Sequence, residues 1–389
     1  MRVSQRTPVS EELEVVILRF EQPARRSVRR LVYSSPKLAD LAHVFPGAVH
    51  ALAVRRGPAT RRRRALQLIE EGAQLREVAR TLELPLWLRR LPPEAFIGHI
   101  PQLPSSEVFQ RRIVNQLPLN AGDNALWLSS IAFASEACNE YFAIWLAAQP
   151  VFADPGDPKR LFAVLAAYAW FSGTEGTKAH SLIVVPWRPE MAFDTAVCAA
   201  KSWLNRMRLT MQLRSGAISD TWFTPSEAQG LTFVPLIDQA DILSEAHAMQ
   251  NCADQYSDRI SRDKCRLFSV RRKGVRVATM EIGAHPRETG VLAINQLKSR
   301  HNMPAPLDVW QAAHAWLSGQ KELRRQPPLV VPERQLDAAT WEALMQPYRA
   351  KKRGAPWLAE TISLAAMSEL DTSMADVARR GGVSSWLFT

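Results

Sequence analysis

The chain has 389 residues, 47% of them hydrophobic, and carries a formal net charge of +11. A length of this kind holds two or three domains at roughly 150 residues each, and the apolar content excludes disorder along the whole chain. No segment reaches the ~18 uninterrupted apolar residues of a membrane helix, so Leu161–Phe171 and Ile131–Leu146 read as buried helices and no membrane partner is expected.

The charge is unevenly placed. Residues 1–100 and 241–389 are cationic, whereas 101–240 are slightly acidic. Cationic surfaces attract phosphate backbones by releasing counterions, whatever the base sequence, so nucleic acid, DNA or RNA, is the expected partner. The four cysteines, Cys138, Cys198, Cys252 and Cys265, are widely spaced and form no CxxC, which offers neither a zinc knuckle nor a thioredoxin motif. The opening Met1–Ser10 is polar and unlike a signal peptide. The expectation is a cytoplasmic protein with reduced thiols and no metal or other cofactor.

Residues 1–122 form a basic helical N-terminal region. It begins with the β-branched stretch Val15-Val16-Ile17-Leu18, followed by Arg25, Arg26, Arg29 and Arg30. Arg61, Arg62, Arg63 and Arg64 then lead into an apolar pattern at helical spacing that Gly72 stops. Leu75–Arg90 has the pattern of a helix, a turn and a second short helix, with Ala79 at the crossing and Leu84 after the turn. A helical hairpin is the simpler reading. Glu83 stands where a helix-turn-helix usually has glycine, and Pro92 and Pro93 cut short any recognition helix. Residues 92–122 are rich in proline and form a connection.

Residues 123–230 read as a helical domain, with helices over Ala125–Ala148, Lys159–Phe171 and Phe193–Arg214. At Thr232–Leu236 the texture changes, and residues 231–320 follow as a small α-β-β-β core. Its helix is predicted over Asp238–Ile260 and its strands over Cys265–Arg271, Arg276–Ile282 and Val291–Leu297, with Lys273-Gly274 as a hairpin turn. Residues 305–320 are again helical. The C-terminal segment, 321–389, is a basic helical tail with Pro327-Pro328 as a linker, helices at Trp341–Met345 and Pro356–Leu370, the cluster Lys351-Lys352-Arg353, and a helix-turn pattern over Met374–Val383. The predicted fold class is therefore α+β, mostly helical, around one small sheet.

Within that core nine positions stand in a recognisable order: Met249, Cys252 and Tyr256 on the helix, Phe268 and Arg271 on the first strand, Thr279 and Glu281 on the second, then Gln296 and Asn302. Over about residues 230–305 the chain resembles the PcfJ-like family of conjugative plasmids and other mobile elements. The resemblance implies an accessory protein of mobile genetic elements whose biochemical activity is unsettled. The chain departs from the family pattern at Asn251, where His often precedes the cysteine, at Ala253-Asp254 in place of Val-Gly, and at Ser299 in place of Gly.

Two kinds of site follow from these residues. At 100° per residue, Met249, Cys252, Tyr256 and Ile260 share one helical stripe while His247 and Asn251 share another, which favours Cys252 as a core residue. Were it a reactive thiol, His247, Cys252 and Glu281 would be the catalytic candidates of a hydrolase or transferase. Glu281 is expected to face away from the apolar side chains of its strand, with Arg271 as a cross-strand ion pair. The second kind of site is a nucleic-acid contact. Gln296 and Asn302 suit base edges, and Lys298, Arg300, Arg271 and Arg61 to Arg64 suit phosphate. A scaffold that binds a protein partner is a third reading. No phosphate loop, GxGxxG, HExxH or GxSxG occurs.

Overall fold

The computed structural model of the protein describes residues 11–118, 121–149, 159–213, 218, 220–320, 337–352 and 363. The predicted Pro327-Pro328 linker, the helix at Pro356–Leu370 and the pattern over Met374–Val383 lie outside these residues or are covered only at Ser363. The chain divides into two compact units: Met1–Trp170 with Arg188–Asp194 and Gly354–Thr389, and Phe171–Trp187 with Thr195–Arg353. The fold class is α+β, as the sequence predicts: many helices and one antiparallel sheet.

The helices run in chain order as α1 (Glu11–Leu18), α2 (Gln22–Val32), α3 (Pro36–Val44), α4 (Pro46–Ala53), α5 (Ala59–Glu71), α6 (Leu75–Thr81), α7 (Glu107–Ile113), α8 (Asn124–Ala137) and α9 (Glu140–Ala147). They continue as α10 (Lys159–Ser172), α11 (Lys178–Ser181), α12 (Phe193–Leu213), α13 (Gln239–Met249), α14 (Ser257–Ser261), α15 (Leu307–Ser318) and α16 (Ala338–Lys351).

In the first unit the β-branched stretch at Val15 belongs to α1, because Leu13 and Ile17, four apart, turn inward together. Gly72 ends α5 in the left-handed conformation at φ 76°, as its position in the sequence predicts. Glu83 takes the same left-handed turn at φ 52° without being glycine. After it, Leu86–Arg90 form only a short 3-10 helix with Trp87 and Leu88 buried. α6 is therefore followed by a 3-10 turn at Leu86–Arg90, not by the second α-helix of the predicted hairpin. The single helix expected over Ala125–Ala148 is two. α8 stops before Cys138, and Asn139 caps α9 by accepting from the Phe142 backbone N–H at 2.9 Å.

The second unit holds five strands in the order of the chain, β1 (Ser226–Ala228), β2 (Leu231–Pro235), β3 (Cys265–Arg272), β4 (Val275–Ala284) and β5 (Leu292–Lys298), each antiparallel to the next. The three predicted strands are present, and β1 and β2 extend the sheet on one side. Lys273 and Gly274, both at positive φ, make the tight two-residue turn between β3 and β4. Both sheet faces are covered. On one, Phe268, Val270, Ala278, Met280 and Leu297 pack with Val309 and Trp316 of α15. On the other, Cys265 and Leu267 pack with Ile242 and Ala246 of α13 and with Ala253 and Ile260. Trp316 stacks on Phe233 at 4.7 Å and donates its indole N–H to Ser226 Oγ at 2.7 Å, which fixes α15 over the β1–β3 side.

The helix predicted over Asp238–Ile260 is interrupted. Asp238 caps α13 at its start, through Oδ1 to the Asp241 N–H at 2.8 Å. At its end Gln250 turns left-handed, at φ 49°. Asn251 Oδ1 then accepts from the Ala253 N–H at 3.1 Å, the local side-chain bond by which asparagine competes with helix continuation. A single 3-10 turn, Ala253–Gln255, leads into α14. This break moves Cys252 out of any helical stripe and onto a loop.

Candidate functional site

Register and pleat assemble the site. Leu267 of β3 lies opposite Glu281 of β4, Glu281 opposite Gln296 of β5, and Thr279 opposite Lys298. Alternation places these side chains on the α13 face of the sheet. The loop after α13 arches over that face, and the turn after β5 closes one side. Asn251, Cys252, Ala253, Tyr256, Leu267, Thr279, Glu281, Gln296, Lys298 and Asn302 line the resulting depression. The depression is small, half-open to solvent and mostly apolar in its accessible lining.

Two buried carboxylates hold the loop in place. Glu245 of α13 is fully buried. It accepts from Arg276 Nε at 2.8 Å and from Thr279 Oγ1 at 2.8 Å. The Thr279 hydroxyl has then given its proton, so it accepts from Asn251 Nδ2 at 2.8 Å, and Asn251 Oδ1 accepts in turn from Ala253 N–H. Arginine, carboxylate, hydroxyl and amide thus form one polarised chain from strand β4 to the loop. Glu281, only 2% exposed, accepts from the Tyr256 hydroxyl at Oε2 over 3.1 Å. Arg259 forms an ion pair with Oε1. The Arg259 guanidinium also sits 5.4 Å from the centre of the Tyr256 ring. Burial, and then the charge of Glu281, push the Tyr256 hydroxyl well above its ordinary range, so it stays protonated and donating.

Cys252 is half-buried and its Sγ lies 3.7 Å from Asn302 Oδ1. Burial raises the thiol above its usual value, and Asp254 and Glu281 add to the rise while Lys298 opposes it. The neutral S–H therefore donates weakly to Asn302, and Cys252 is not a core residue as the helical stripe predicts, because the helix ends before it. Asp254, which stands where the family pattern has glycine, is buried and forms an ion pair with Arg206 of α12. This pairing gives the Ala253-Asp254 departure a structural role as an anchor for the loop.

The predicted site residues separate into two groups. Cys252, Glu281, Gln296, Lys298 and Asn302 come together in the depression. Arg300 is exposed on the turn that carries Asn302. His247 is exposed on α13 and does not line the depression, so it is not placed as a base for Cys252. Arg271 is not the ion-pair partner of Glu281. It lies opposite Arg276 and Thr232, its Nε donates to Ser269 Oγ at 3.1 Å, and Arg259 takes the expected place. In the first unit, Arg61 forms an ion pair with Glu83 at 2.5 Å, Arg62 donates to the carbonyls of Arg55 and Gly57, and Arg64 lies 3.9 Å from Glu71. Arg63 is exposed. The four arginines do not share one free cationic face.

Sequence reading passed over Glu245, Arg259 and Arg276. A signal existed for Glu245: it shares the buried stripe of α13 with Ile242, Ala246 and Met249, and a carboxylate on an apolar stripe needs a partner. Arg259 carried no such mark, since it reaches Glu281 only because the chain turns twice between them. Among the described residues no group of three or more His, Cys, Asp or Glu is placed to hold a metal ion, and no helix is long and apolar enough to cross a membrane.

Fold and site together define an α+β unit whose sheet bears a small open depression, its loop held by two buried carboxylates. No family model, curated protein or solved structure matches the chain. The PcfJ-like resemblance rests on its nine positions alone.

Proposed function

We propose that the protein is a nucleic-acid-binding accessory protein of the PcfJ-like kind, and that β5 with its following turn is the contact surface. One observation carries this reading. Gln296, Arg300 and Asn302 are exposed and Lys298 is half-exposed; all four fall within seven residues, and Gln296, Lys298 and Asn302 line one depression. Amide side chains offer paired donors and acceptors to base edges, and Lys and Arg hold phosphates. His301 and Asn302 are both left-handed, at φ 61° and 58°. The turn is secured by the Ser299 N–H on the Met303 carbonyl at 2.8 Å and by a bridge from Lys298 to Pro304. A non-glycine backbone held in that region is costly, and here it directs Arg300, His301 and Asn302 outward.

The enzyme reading loses support in the same geometry. A thiol nucleophile requires a lowered pKa and a base, whereas Cys252 is raised and His247 lies elsewhere. Binding is tested by fluorescence anisotropy with labelled oligonucleotides across a salt series. The expected result is affinity that falls steeply with salt, and a log–log slope shallower by about 1 for each of Lys298→Ala and Arg300→Ala. Absence of binding at low salt, or variants whose slope equals the parent's, contradicts the proposal.

A further inference from the structure

We infer that the nucleic-acid contact runs from the turn after β5 across the end of the sheet to the β3–β4 hairpin, where Lys273 is a further phosphate ligand. The inference rests on the nucleic-acid reading above and adds a second prong to it. Strand register is the first ground. The β3–β4 turn closes the end of the sheet at which Arg271 faces Thr232 of β2 on one side and Arg276 of β4 on the other. The β1–β2 turn, between Ala228 and Leu231, leaves the same end. So does the turn after β5, whose last residue, Lys298, faces Thr279. Arg272 forms an ion pair with Asp308 and so fastens the hairpin to the first turn of α15. Neighbouring strands lie about 4.8 Å apart, which sets β5 about 7 Å from the middle of the hairpin. That is the length of about two stacked nucleotides of one strand.

The second ground is the turn itself. Lys273 and Gly274 are both left-handed, at φ 48° and 81°. A two-residue turn of that kind prefers asparagine, aspartate or glycine at its first place. A lysine there carries a backbone cost that asparagine lessens, and an observed outlier of this sort is a ground for a functional reading. Lys273 is exposed, and among the described residues neither it nor Arg300 is held in an ion pair. Their neighbours differ: Arg272 is paired with Asp308, and Arg276 with the buried Glu245. Glu227 sets an exposed carboxylate beside the β1–β2 turn, so the cationic stretch lies between the other two turns. Lys273, Lys298 and Arg300 match a phosphate backbone in charge there, and contacts of that kind carry no base preference.

The test measures the salt dependence of binding to labelled dC15 and dT15 with the full-length protein and its Lys273→Asn variant. Asparagine removes the charge and is the residue the turn prefers, so the urea midpoint should be unchanged or raised. Lys273→Gln, which brings in the residue that Gln229 places at φ 49° in the β1–β2 turn, gives the same reading should the first variant misfold. The expected result is a log–log slope shallower by about 0.7 on both strands alike, with Arg63→Ala on α5 as a control that leaves it unchanged. A variant whose slope equals the parent's, a loss confined to one of the two strands, or an equal loss from Arg63→Ala overturns this inference. The nucleic-acid reading then stands if Arg300→Ala still lowers the slope. The same end of the sheet exposes Val275, Met303 and Leu307, at 67%, 60% and 73%, so vesicles with roughly 30% phosphatidylserine supply the rival anionic surface. Sedimentation with those vesicles in the absence of binding to either strand, or no binding to anything offered, overturns both.

Discussion

Thr279 holds more of the site than its size suggests. Its one hydroxyl donates to Glu245 and accepts from Asn251, so it connects a fully buried carboxylate to the loop that carries Cys252. Thr279→Val keeps the shape and removes both bonds. It leaves a Glu245 oxygen short of a donor and the Asn251 amide short of an acceptor, at a cost of about 1–3 kcal/mol. Urea denaturation should show that loss, and oligonucleotide binding should weaken with it because the loop is released. A variant as stable as the parent would mean that water replaces the hydroxyl at no cost, and that the polarised chain does not hold the loop. Asp254 works at the same scale. Burial pushes its carboxyl up, and Arg206 pulls it back, so the ion pair is the condition on which that carboxylate can stay charged in the interior.

Elements are joined in the first unit by one buried imidazole. His50 of α4 is fully buried, between Phe20 and Phe96, with its Nε2 3.0 Å from Glu21 Oε1. The same carboxylate oxygen accepts from the Gly98 N–H at 2.9 Å, so Glu21 at the start of α2 holds both α4 and the loop at Gly98. Among the described residues Nδ1 of His50 has no hydrogen-bond partner. Burial lowers the histidine below its usual 6.5, against the opposing pull of Glu21. A group whose folded value is depressed binds its proton more readily in the unfolded chain, so its contribution is present above pH 6.5 and is lost as pH falls below it. His50→Gln keeps a donor for Glu21 without a titrating group. Urea midpoints should fall more between pH 7.5 and pH 5.5 for the parent than for this variant. Equal falls would place the acid sensitivity in other groups.

The same scale shows what the sequence made legible. Alternation marked β3, β4 and β5 almost to the residue, because each has a continuous apolar face against α15. β1 has three residues and β2 five, which gives little periodic signal in the sequence, and they are held by pairing to β3 and by Trp316 on Phe233 and Ser226. The α13 break was written in Gln250-Asn251, two residues suited to left-handed and locally bonded backbone, but the helical stripe through Cys252 and Tyr256 outweighed them in the reading. The site inherited both outcomes. Glu281, Gln296 and Lys298 follow from strand register and were legible. Cys252 belongs to the depression for a reason other than the predicted one. The Arg259 ion pair depends on two turns of chain and left no pattern.

On the scale of the molecule, the charge of +11 is a poor guide to where phosphate would bind. Arginines dominate the N-terminal sequence, yet several are occupied: Arg19 by Glu94, Arg29 by Glu14, Arg61 by Glu83. Exposed ion pairs of this type add little to stability, but they neutralise the face that an arginine run implies. In the second unit Lys298 and Arg300 stand beside the amides of Gln296 and Asn302, at the end of β5 and in the turn after it. Position, more than total charge, carries the proposed role.

Hydrogen exchange of the full-length protein with and without dC15 tests that claim most directly. The account predicts slowed exchange in peptides spanning 250–256 and 292–304 and none beyond background in 59–72. Protection centred on 59–72, with 292–304 unchanged, would contradict it and return the contact to the arginine run.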